Sequence, residues 1–423
     1  MKLSFYPICY AVALLMTVVL PPLGYMIGTA SSMSSGVFLL ACLYILGYIF
    51  YTIRARGHEF QPVLITRSLI YFVGILAITL FVHSVVSLSI RSDLNSARLL
   101  KSLLFSFVFC LGVWAFVKLS FRVLDSHFDF AVKFVFYSLV IASLFALSGF
   151  SPFSPKAIKP VFFFSEPSHF ALSFLPFFLY LVVTANATYK IILIALGYAI
   201  AFSLENLVLV AGVSIVAAFV SSFKQWLYLI PVGLLALMIA PIDHYYYVDR
   251  LILSPDSQNR SAMVFLSGWE RAYLNLLNTN GLGVGFQQFG IIGERGELME
   301  AIKKLNGADL NLLDGGAVAP KLIGEFGVVG IALISLYIGY SIKCARVLFA
   351  VCKKTTANYS PKKIFLFACF LMYGIDLFLR GVGYFSSSSF LFFAAVLLIL
   401  TETPCDGKQL VSLLNPESRS VAQ

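Results

Sequence analysis

Charge is scarce in this sequence. Only 12% of the 423 residues are Asp, Glu, Lys or Arg, whereas soluble domains carry about 25% charged residues. Hydrophobic residues make up 60% of the chain and the mean hydropathy is +0.90, which excludes an ordinary soluble domain. Because a membrane-spanning helix needs about 20 mostly apolar residues, we expect an all-α polytopic integral membrane protein.

Signals for metal sites and disulfides are also missing. No His and Cys residues have the spacing of a zinc site, and no Asp-x-Asp motif occurs, so the metal-nucleotide site of sugar-nucleotide transferases is absent. We therefore expect no metal and no cofactor. The seven cysteines fall in apolar or predicted cytoplasmic segments, which predicts no disulfide framework.

Twelve apolar segments are candidates for spanning helices. They are 5–27, 34–53, 64–89, 99–120, 130–148, 166–186, 190–204, 206–222, 226–242, 318–348, 363–382 and 385–402. The region 190–222 is either two short helices or one broken helix, and we favour two. Lys and Arg in the short loops favour cytoplasmic termini by the positive-inside rule, although the loop 90–98 does not follow it. This placement accounts for much of the net charge of +10 without a nucleic-acid partner.

One loop, 243–317, is much longer than the others and lies on the predicted outer side. The expected organisation is 1–242 with about nine spans, the loop 243–317, 318–402 with about three spans, and a cytoplasmic tail, 403–423. A loop of this length needs structure or function of its own. Helical spacing predicts an amphipathic helix over 261–280, on the membrane surface, and a short helix over 296–305.

Polar residues interrupt the apolar stretch 161–182. Glu166 and His169 are three residues apart and share one face of a helix that begins there, with Ser165 as the predicted N-cap. Ionisable groups at membrane depth usually mark a functional path, although a pair wetted in the headgroup region is the alternative. Glu166 is our first choice as a base, since its carboxylate could also orient His169.

A second polar pair lies in "YGIDLFLRGVGYF", where Asp376 and Arg380 are spaced i, i+4. They could form an ion pair that helps two helices pack. Alternatively, Arg380 could grip a phosphate through two parallel hydrogen bonds. We place Arg380 at the depth of Glu166, and Tyr384 follows in the same stretch.

Arg260 is the third candidate, because it stands just ahead of the surface helix that ends in the glycine-rich turn 281–286. Arg271, in the same helix, is expected to be solvated. Glu325 is expected to pair with Lys321, one turn earlier, and Glu205 to be buried beside Asn206. The second-tier candidates for the site are Asp376, Tyr384, Arg271, Asp314 and Lys321.

These stretches together resemble the bacterial Wzy-type O-antigen polymerases, which are related to the O-antigen ligases. The resemblance rests on the dozen or so spans, the long outer loop, Arg260 followed by Trp269 and "GLGVGFQQFG", and "GEFGVVG" at the next span. "SEPSHFAL" and "RGVGYF" are similar to stretches of this group. Two departures stand out. Ligases carry a His-Asn pair where this chain has Gly316-Ala317, and the arginine-to-glycine spacing of some polymerase loops is not matched.

The resemblance implies a multi-pass, metal-independent glycosyltransferase of the Gram-negative inner membrane, with the long loop in the periplasm. It would transfer a growing glycan from undecaprenyl pyrophosphate to a repeat unit on the same carrier. In this scheme Glu166 or His169 is the base, Arg260 and Arg380 bind pyrophosphate, and a chain-length regulator is a partner. The alternatives are a transporter or flippase of lipid-linked oligosaccharide, an O-antigen ligase, or a scaffold for the chain-length regulator.

Overall fold

The computed structural model describes residues 5–26, 33–54, 67–90, 93–150, 152, 159–221, 259–354 and 359–401. In these ranges the chain forms fourteen helices and no strand. They are α1 (Phe5–Met26), α2 (Ser34–Arg54), α3 (Arg67–Ile90), α4 (Ser96–Arg122), α5 (Asp125–Leu147), α6 (Pro167–Thr184), α7 (Ala187–Ser203), α8 (Leu207–Val220), α9 (Arg260–Asn278), α10 (Glu297–Asn306), α11 (Val318–Phe326), α12 (Val328–Cys352), α13 (Pro361–Phe378) and α14 (Ser387–Thr401).

Six of these helices are long and apolar enough to cross a membrane, namely Pro7–Met26 in α1, and α2, α4, α5, α6 and α12. Shorter apolar stretches occur in α3, α7, α8 and α14. The described residues therefore confirm an all-helical chain with several candidate spans. The number twelve remains a prediction, and the expected span 226–242 lies outside the described residues, as does the tail 403–423.

The core is built around α6. Every residue from Phe170 to Val183 is buried, and α6 packs against α5, α7, α8 and α13. By contrast, α12 leaves most of its apolar side chains exposed, including Leu336 and Ile338. Because an apolar helix face that the protein does not cover is stable in lipid, this contrast is typical of a membrane bundle with α6 inside and α12 at its periphery.

The predicted single segment 318–348 is wrong, because the chain breaks at Gly327. This residue has φ +58 and ψ −129, a backbone conformation that glycine adopts without the steric cost of a Cβ. A Cβ on Gly327 would also lie 1.8 Å from the Gly281 carbonyl oxygen. The turn after α9 packs on this break, since Val328 N donates to Gly281 O (2.8 Å) and Gly285 N donates to Glu325 O (2.9 Å).

The region 190–222 forms two helices, as we favoured. Asn206 caps α8 by accepting from Leu209 N (3.1 Å), and its side-chain amide donates to Pro167 O at the start of α6. Glu205 is not buried as expected. Its side chain is 37% exposed and forms an ion pair with Lys159.

Helices α9 and α10 match the two helices predicted in the long loop to within two residues at each end. One face of α9 packs on α10 and α11. The buried side of α9 includes Gly268, where a Cβ would lie 1.9 Å from Gly315 O. Tyr273 and Leu277, on another side of α9, are exposed.

Candidate functional site

An ion pair between residues far apart in the chain forms the centre of the site. Arg380 Nη2 donates to Glu166 Oε2 at 2.9 Å. Glu166 occupies the N-cap position of α6, and Arg380 follows the end of α13. The backbone after Arg380 is held in place because Gly381 N donates to Gly316 O (2.9 Å). The side chains of Glu166 and Arg380 are 49% and 20% exposed, so a ligand can reach the pair.

This ion pair excludes the alternative in which Asp376 pairs with Arg380. Asp376 is 1% exposed, and its Oδ1 accepts from Ser388 Oγ at 2.7 Å. Although the i, i+4 spacing permits a contact on a continuous helix, α13 ends at Phe378, before Arg380 is reached. Arg380 therefore leaves the helical register and turns to Glu166.

His169 lies beside this ion pair, one turn into α6. Its Nε2 is 3.9 Å from Glu166 Oε2, which confirms that the two side chains share a face. Its Nδ1 is 2.9 Å from Ser165 Oγ. Ser165 was predicted to be the N-cap, but Glu166 takes that position, and the Ser165 hydroxyl instead contacts the imidazole.

Electrostatics favour an ionised Glu166. Burial alone would raise the pKa of this carboxyl, but the charge of Arg380, the neighbouring His169, and hydrogen bonds from Arg380 and Ser168 outweigh burial and lower it. Ser168 Oγ donates to the same oxygen, Oε2, at 3.1 Å. A carboxylate with a lowered pKa and an occupied oxygen is a weak base at neutral pH.

A second charged group adjoins the first. Lys321 is 2% exposed, its Nζ lies 3.3 Å from Asp314 Oδ1, and it stands 5.0 Å over the ring of Tyr384. The chain after Arg380 passes directly over this pair, since a Cβ on Gly383 would lie 2.9 Å from Asp314 Oδ1. The predicted Lys321–Glu325 ion pair is wrong, because Lys321 points to Asp314 in the preceding loop.

Glu325 is a neighbour of the site that the sequence reasoning treated only as a local ion-pair partner. It is fully buried, and its Oε1 accepts from Phe289 N at 3.2 Å. Burial raises the pKa of Glu325, although the charge of Lys321 opposes this effect. Within the described residues, Glu325 Oε2 and the nearby Tyr384 hydroxyl are buried polar atoms without a hydrogen-bond partner of good geometry. Burial likewise raises the pKa of Tyr384.

Arg271 and Arg260 differ from their expected roles. Arg271 is 2% exposed rather than solvated, donates to Leu312 O at 2.7 Å, and has its guanidinium 4.3 Å from the Phe289 ring centroid. Burial lowers the pKa of Arg271 to about 10. These contacts tie α9 to the end of the long loop. Arg260, the first residue of α9, is exposed, and no described contact joins it to Arg380.

An apolar cavity of about 340 Å³ adjoins the charged residues at Tyr384. It lies between α3, α4, α12, α13 and α14, and the residues that line it include Tyr384, Phe286 and Phe326. At its outer side Leu333 and Leu336 are exposed, so the cavity opens at the apolar surface of the bundle. Tyr384 therefore belongs both to this cavity and to the contact with Lys321.

The structure thus brings together Glu166, His169, Arg380, Asp314, Lys321 and Tyr384, and leaves Arg260 outside. Among the described residues, no group of three or more His, Cys, Asp or Glu side chains is placed to hold a metal ion. The site could bind an anionic group between Arg380 and Lys321, with an imidazole beside it and an apolar cavity behind it.

Comparisons with known proteins identify no relative: no family model, no curated protein and no solved structure matches this chain significantly. The predicted resemblance to O-antigen polymerases therefore stays a prediction. Any assignment of function must come from the chemistry of the site.

Proposed function

We propose that this protein is a metal-independent glycosyltransferase that polymerises lipid-linked oligosaccharide repeat units, in the manner of an O-antigen polymerase. In this proposal the chain has about twelve spans in a Gram-negative inner membrane, both termini are cytoplasmic, and the loop 243–317 is periplasmic. Donor and acceptor are glycans on undecaprenyl pyrophosphate, and a chain-length regulator is a partner.

The proposal rests on the position of Tyr384. This residue lines the apolar cavity and also contacts Lys321 of the charged group. A carrier lipid has a long apolar chain and a pyrophosphate, and it needs an apolar site and fixed cations side by side. The cavity opens toward the lipid-facing surface near Leu336, so a chain could enter from the bilayer. Lys321 and Arg380 stand beyond Tyr384, where a pyrophosphate attached to that chain would lie.

The reaction joins an oxygen of the acceptor sugar to the anomeric carbon of the donor. The bond between that carbon and the pyrophosphate oxygen breaks, and the leaving pyrophosphate keeps the electron pair. Fixed cations stabilise the charge that develops on it. We assign this role to Arg380 with Lys321 rather than to Arg260, which is exposed and has no described contact with either of them.

The proton of the attacking hydroxyl must go to a base. We assign this role to His169, because Glu166 Oε2 already accepts hydrogen bonds from Arg380 and Ser168. Glu166 then orients His169 and Arg380, which reverses the preference drawn from the sequence. The Nε2 atom of His169 is 3.9 Å from Glu166 Oε2, and the side chain is 12% exposed, so a substrate hydroxyl could approach it.

The two rival functions fit the arrangement less well. A transporter is expected to bind its substrate near the bilayer midplane, whereas these residues lie at helix ends, at the start of α6 and after the end of α13. An O-antigen ligase should carry a histidine where Gly316 stands, and the backbone at Gly316 instead accepts the hydrogen bond from Gly381.

Deletion of the gene tests the reaction class. We expect lipopolysaccharide cores capped by at most one repeat unit, with lipid-linked single units accumulating, and restoration of long chains by the plasmid-borne gene. Loss of every O-antigen unit, including the single one, would instead identify a flippase or a ligase.

Binding of the carrier lipid tests the site directly. Purified protein in nanodiscs should retain undecaprenyl pyrophosphate in native mass spectrometry and should retain uncharged undecaprenol less well. The preference for the pyrophosphate should disappear in Arg380→Ala and in Lys321→Met. Arg346→Ala, which removes an exposed arginine on α12, is the matched control. Equal retention of both lipids by the unmodified protein would remove the assignment of pyrophosphate to this site.

A further inference from the structure

Lys190 is a buried cation with an unusual partner. It lies in the first turn of α7 and is 5% exposed. Its Nζ donates to the sulfur of Cys352 at 2.8 Å, and among the described residues the ammonium has this sulfur as its acceptor rather than a carboxylate. Buried lysines are usually paired with an acid, so the contact with a thiol needs a separate explanation.

The contact lies where three helix ends meet, at the opposite end of the bundle from the candidate functional site. Cys352 is the last residue of α12, and its thiol donates to the carbonyl oxygen of Val220, the last residue of α8, at 3.7 Å. Because α7 begins shortly after α6 ends, this junction is at the C-terminal end of α6, whereas Glu166 is at its N-terminal end. In the proposed topology the junction faces the cytoplasm.

The sulfur of Cys352 is open to oxidation. This residue is half-buried, so a small oxidant in water can reach it. Hydrogen peroxide oxidises a thiol to a sulfenic acid, which condenses with a second thiol or with a nearby nitrogen. A nitrogen that is held against the sulfur has a high effective concentration for this second step. Within the described ranges, Cys42 is also half-buried but has no contact with a lysine nitrogen.

We propose that Lys190 and Cys352 form a reversible sulfenamide cross-link when hydrogen peroxide reaches this junction. Peroxide first transfers one oxygen to the sulfur, its O–O bond breaks, and the thiol becomes a sulfenic acid with release of water. The Lys190 ammonium gives one proton to water, and its free amine then attacks the sulfur. The S–O bond breaks as the S–N bond forms, and the hydroxide leaves as water with a second proton from the nitrogen. The sulfur is oxidised, and the peroxide is reduced to water.

The cross-link joins α7 to α12 across 162 positions of the chain. Closing a chain segment of this length stabilises the folded state, because it restricts the unfolded chain. A sulfenamide also keeps the sulfur from further oxidation to a sulfinic acid, which thiols do not reverse. The inference uses neither the glycan substrate nor the residues around Glu166, so its failure would leave the proposed function untouched, and the reverse also holds.

Peptide mass spectrometry on the purified full-length protein tests the cross-link. After treatment with hydrogen peroxide in detergent and alkylation of the remaining thiols, a chymotryptic digest should contain a species that joins the Lys190 and Cys352 peptides. Its mass should be the sum of the two free peptides less two hydrogens. Dithiothreitol should remove this species, since it restores the amine and the thiol and is itself oxidised to a disulfide. The Cys42 peptide in the same digest is the internal control and should not be joined to a lysine peptide.

Variants test the two partners separately. Lys190→Arg keeps the positive charge, but a guanidinium stays protonated and does not attack the sulfur, so the joined species should be absent and Cys352 should be oxidised to the sulfinic acid. The melting temperature of the peroxide-treated wild-type protein should fall when dithiothreitol is added. Cys352→Ser should show no such fall, whereas Cys42→Ser, the matched control, should behave as the wild type.

Three results would overturn the proposal. They are full alkylation of Cys352 after peroxide treatment, its recovery as a sulfinic acid or a disulfide without any joined species, and a joined Cys352 species that persists in Lys190→Arg. The first two are read on the wild-type protein, so they remain decisive even where a variant does not fold.

Discussion

The two ends of α6 carry polar groups of different construction. At its C-terminal end Tyr180 donates to Asp129 Oδ1 (2.7 Å), and Lys133 donates to Asp129 Oδ2 (2.6 Å). These three residues belong to α6 and its neighbour α5, and both oxygens of Asp129 are occupied. At its N-terminal end Glu166 and His169 meet Arg380, which is 214 positions from Glu166 in the chain.

The two groups differ in whether a polar atom remains available to contact a ligand. We call the C-terminal group closed, because donors occupy both carboxylate oxygens of Asp129. Its role is to join two packed helices, α5 and α6. The N-terminal group is open, because His169 Nε2 has only a distant neighbour in Glu166 and Arg380 is partly exposed. Substitutions in the closed group should change stability alone, whereas substitutions in the open group should change activity.

Removal of the imidazole should have the largest effect. We expect His169→Gln to lower the rate of chain extension by about 10²–10⁴-fold, the usual contribution of a general base. The rate would be measured in membranes of a strain whose only copy is the variant. Lys133→Ala, at the closed end of α6, should extend chains at a near-normal rate. A normal rate in His169→Gln at normal expression would remove His169 from the reaction.

Removal of the Arg380 guanidinium should have the next largest effect on polymerisation. Arg380→Ala should lower polymerisation by about 10²–10³-fold, as expected for loss of a fixed donor to developing charge. Arg380→Lys should recover little, because an ammonium keeps the charge without the two parallel hydrogen bonds. The distribution of chain lengths on gels gives the measurement, with Arg346→Ala as control. Long chains from Arg380→Ala would contradict this role.

The closed end of α6 should give a smaller and purely structural effect. Tyr180→Phe removes the hydrogen bond to Asp129 and should cost about 1 kcal/mol of stability, with chain extension unchanged. Thermal unfolding in detergent measures the loss of stability, and the extension assay measures the rate of chain extension. Loss of activity in Tyr180→Phe without loss of stability would contradict a purely structural role for the closed end of α6.

The pH dependence of the open end should give the smallest effect. The folded-state pKa of Glu166 is lowered, so its pairing with Arg380 stabilises the fold above the unfolded pKa and is lost as pH falls through the folded pKa. The partly exposed pair contributes less than about 1 kcal/mol. The difference in melting temperature between wild type and Glu166→Gln should therefore be present at neutral pH and vanish in acid. A difference that grows in acid would contradict the lowered pKa.

Local patterns predicted the elements of this fold well. The helices α9 and α10 were predicted from helical spacing, and the split between α7 and α8 follows from Asn206, which caps the second helix. The shared face of Glu166 and His169 follows from a spacing of three residues in a helix that begins with Pro167. In each case the signal lies within a few residues of the feature, so no knowledge of the packing was needed.

Charge pairing was predicted poorly from the same spacing rules. Pairing of Asp376 with Arg380 was one of two alternatives, and Lys321 was expected to pair with Glu325, but a spacing of four residues only permits such contacts. Neither pair forms, because other parts of the chain supply the partners, Ser388 for Asp376 and Asp314 for Lys321. Arg271 was expected to be solvated, and this prediction was wrong for a similar reason. The Phe289 ring that covers its guanidinium comes from a later turn of the chain.

The sequence by itself determined the helical membrane class, the position of α6 and the face on which Glu166 and His169 lie, because these follow from composition and periodicity. Only the tertiary structure decided that Arg380 meets Glu166, that Lys321 is buried under Tyr384, and that an apolar cavity ends at this point. The physical reason is that burial and partner choice depend on which helices pack together, and α6, α11 and α13 meet through contacts between residues distant in the chain.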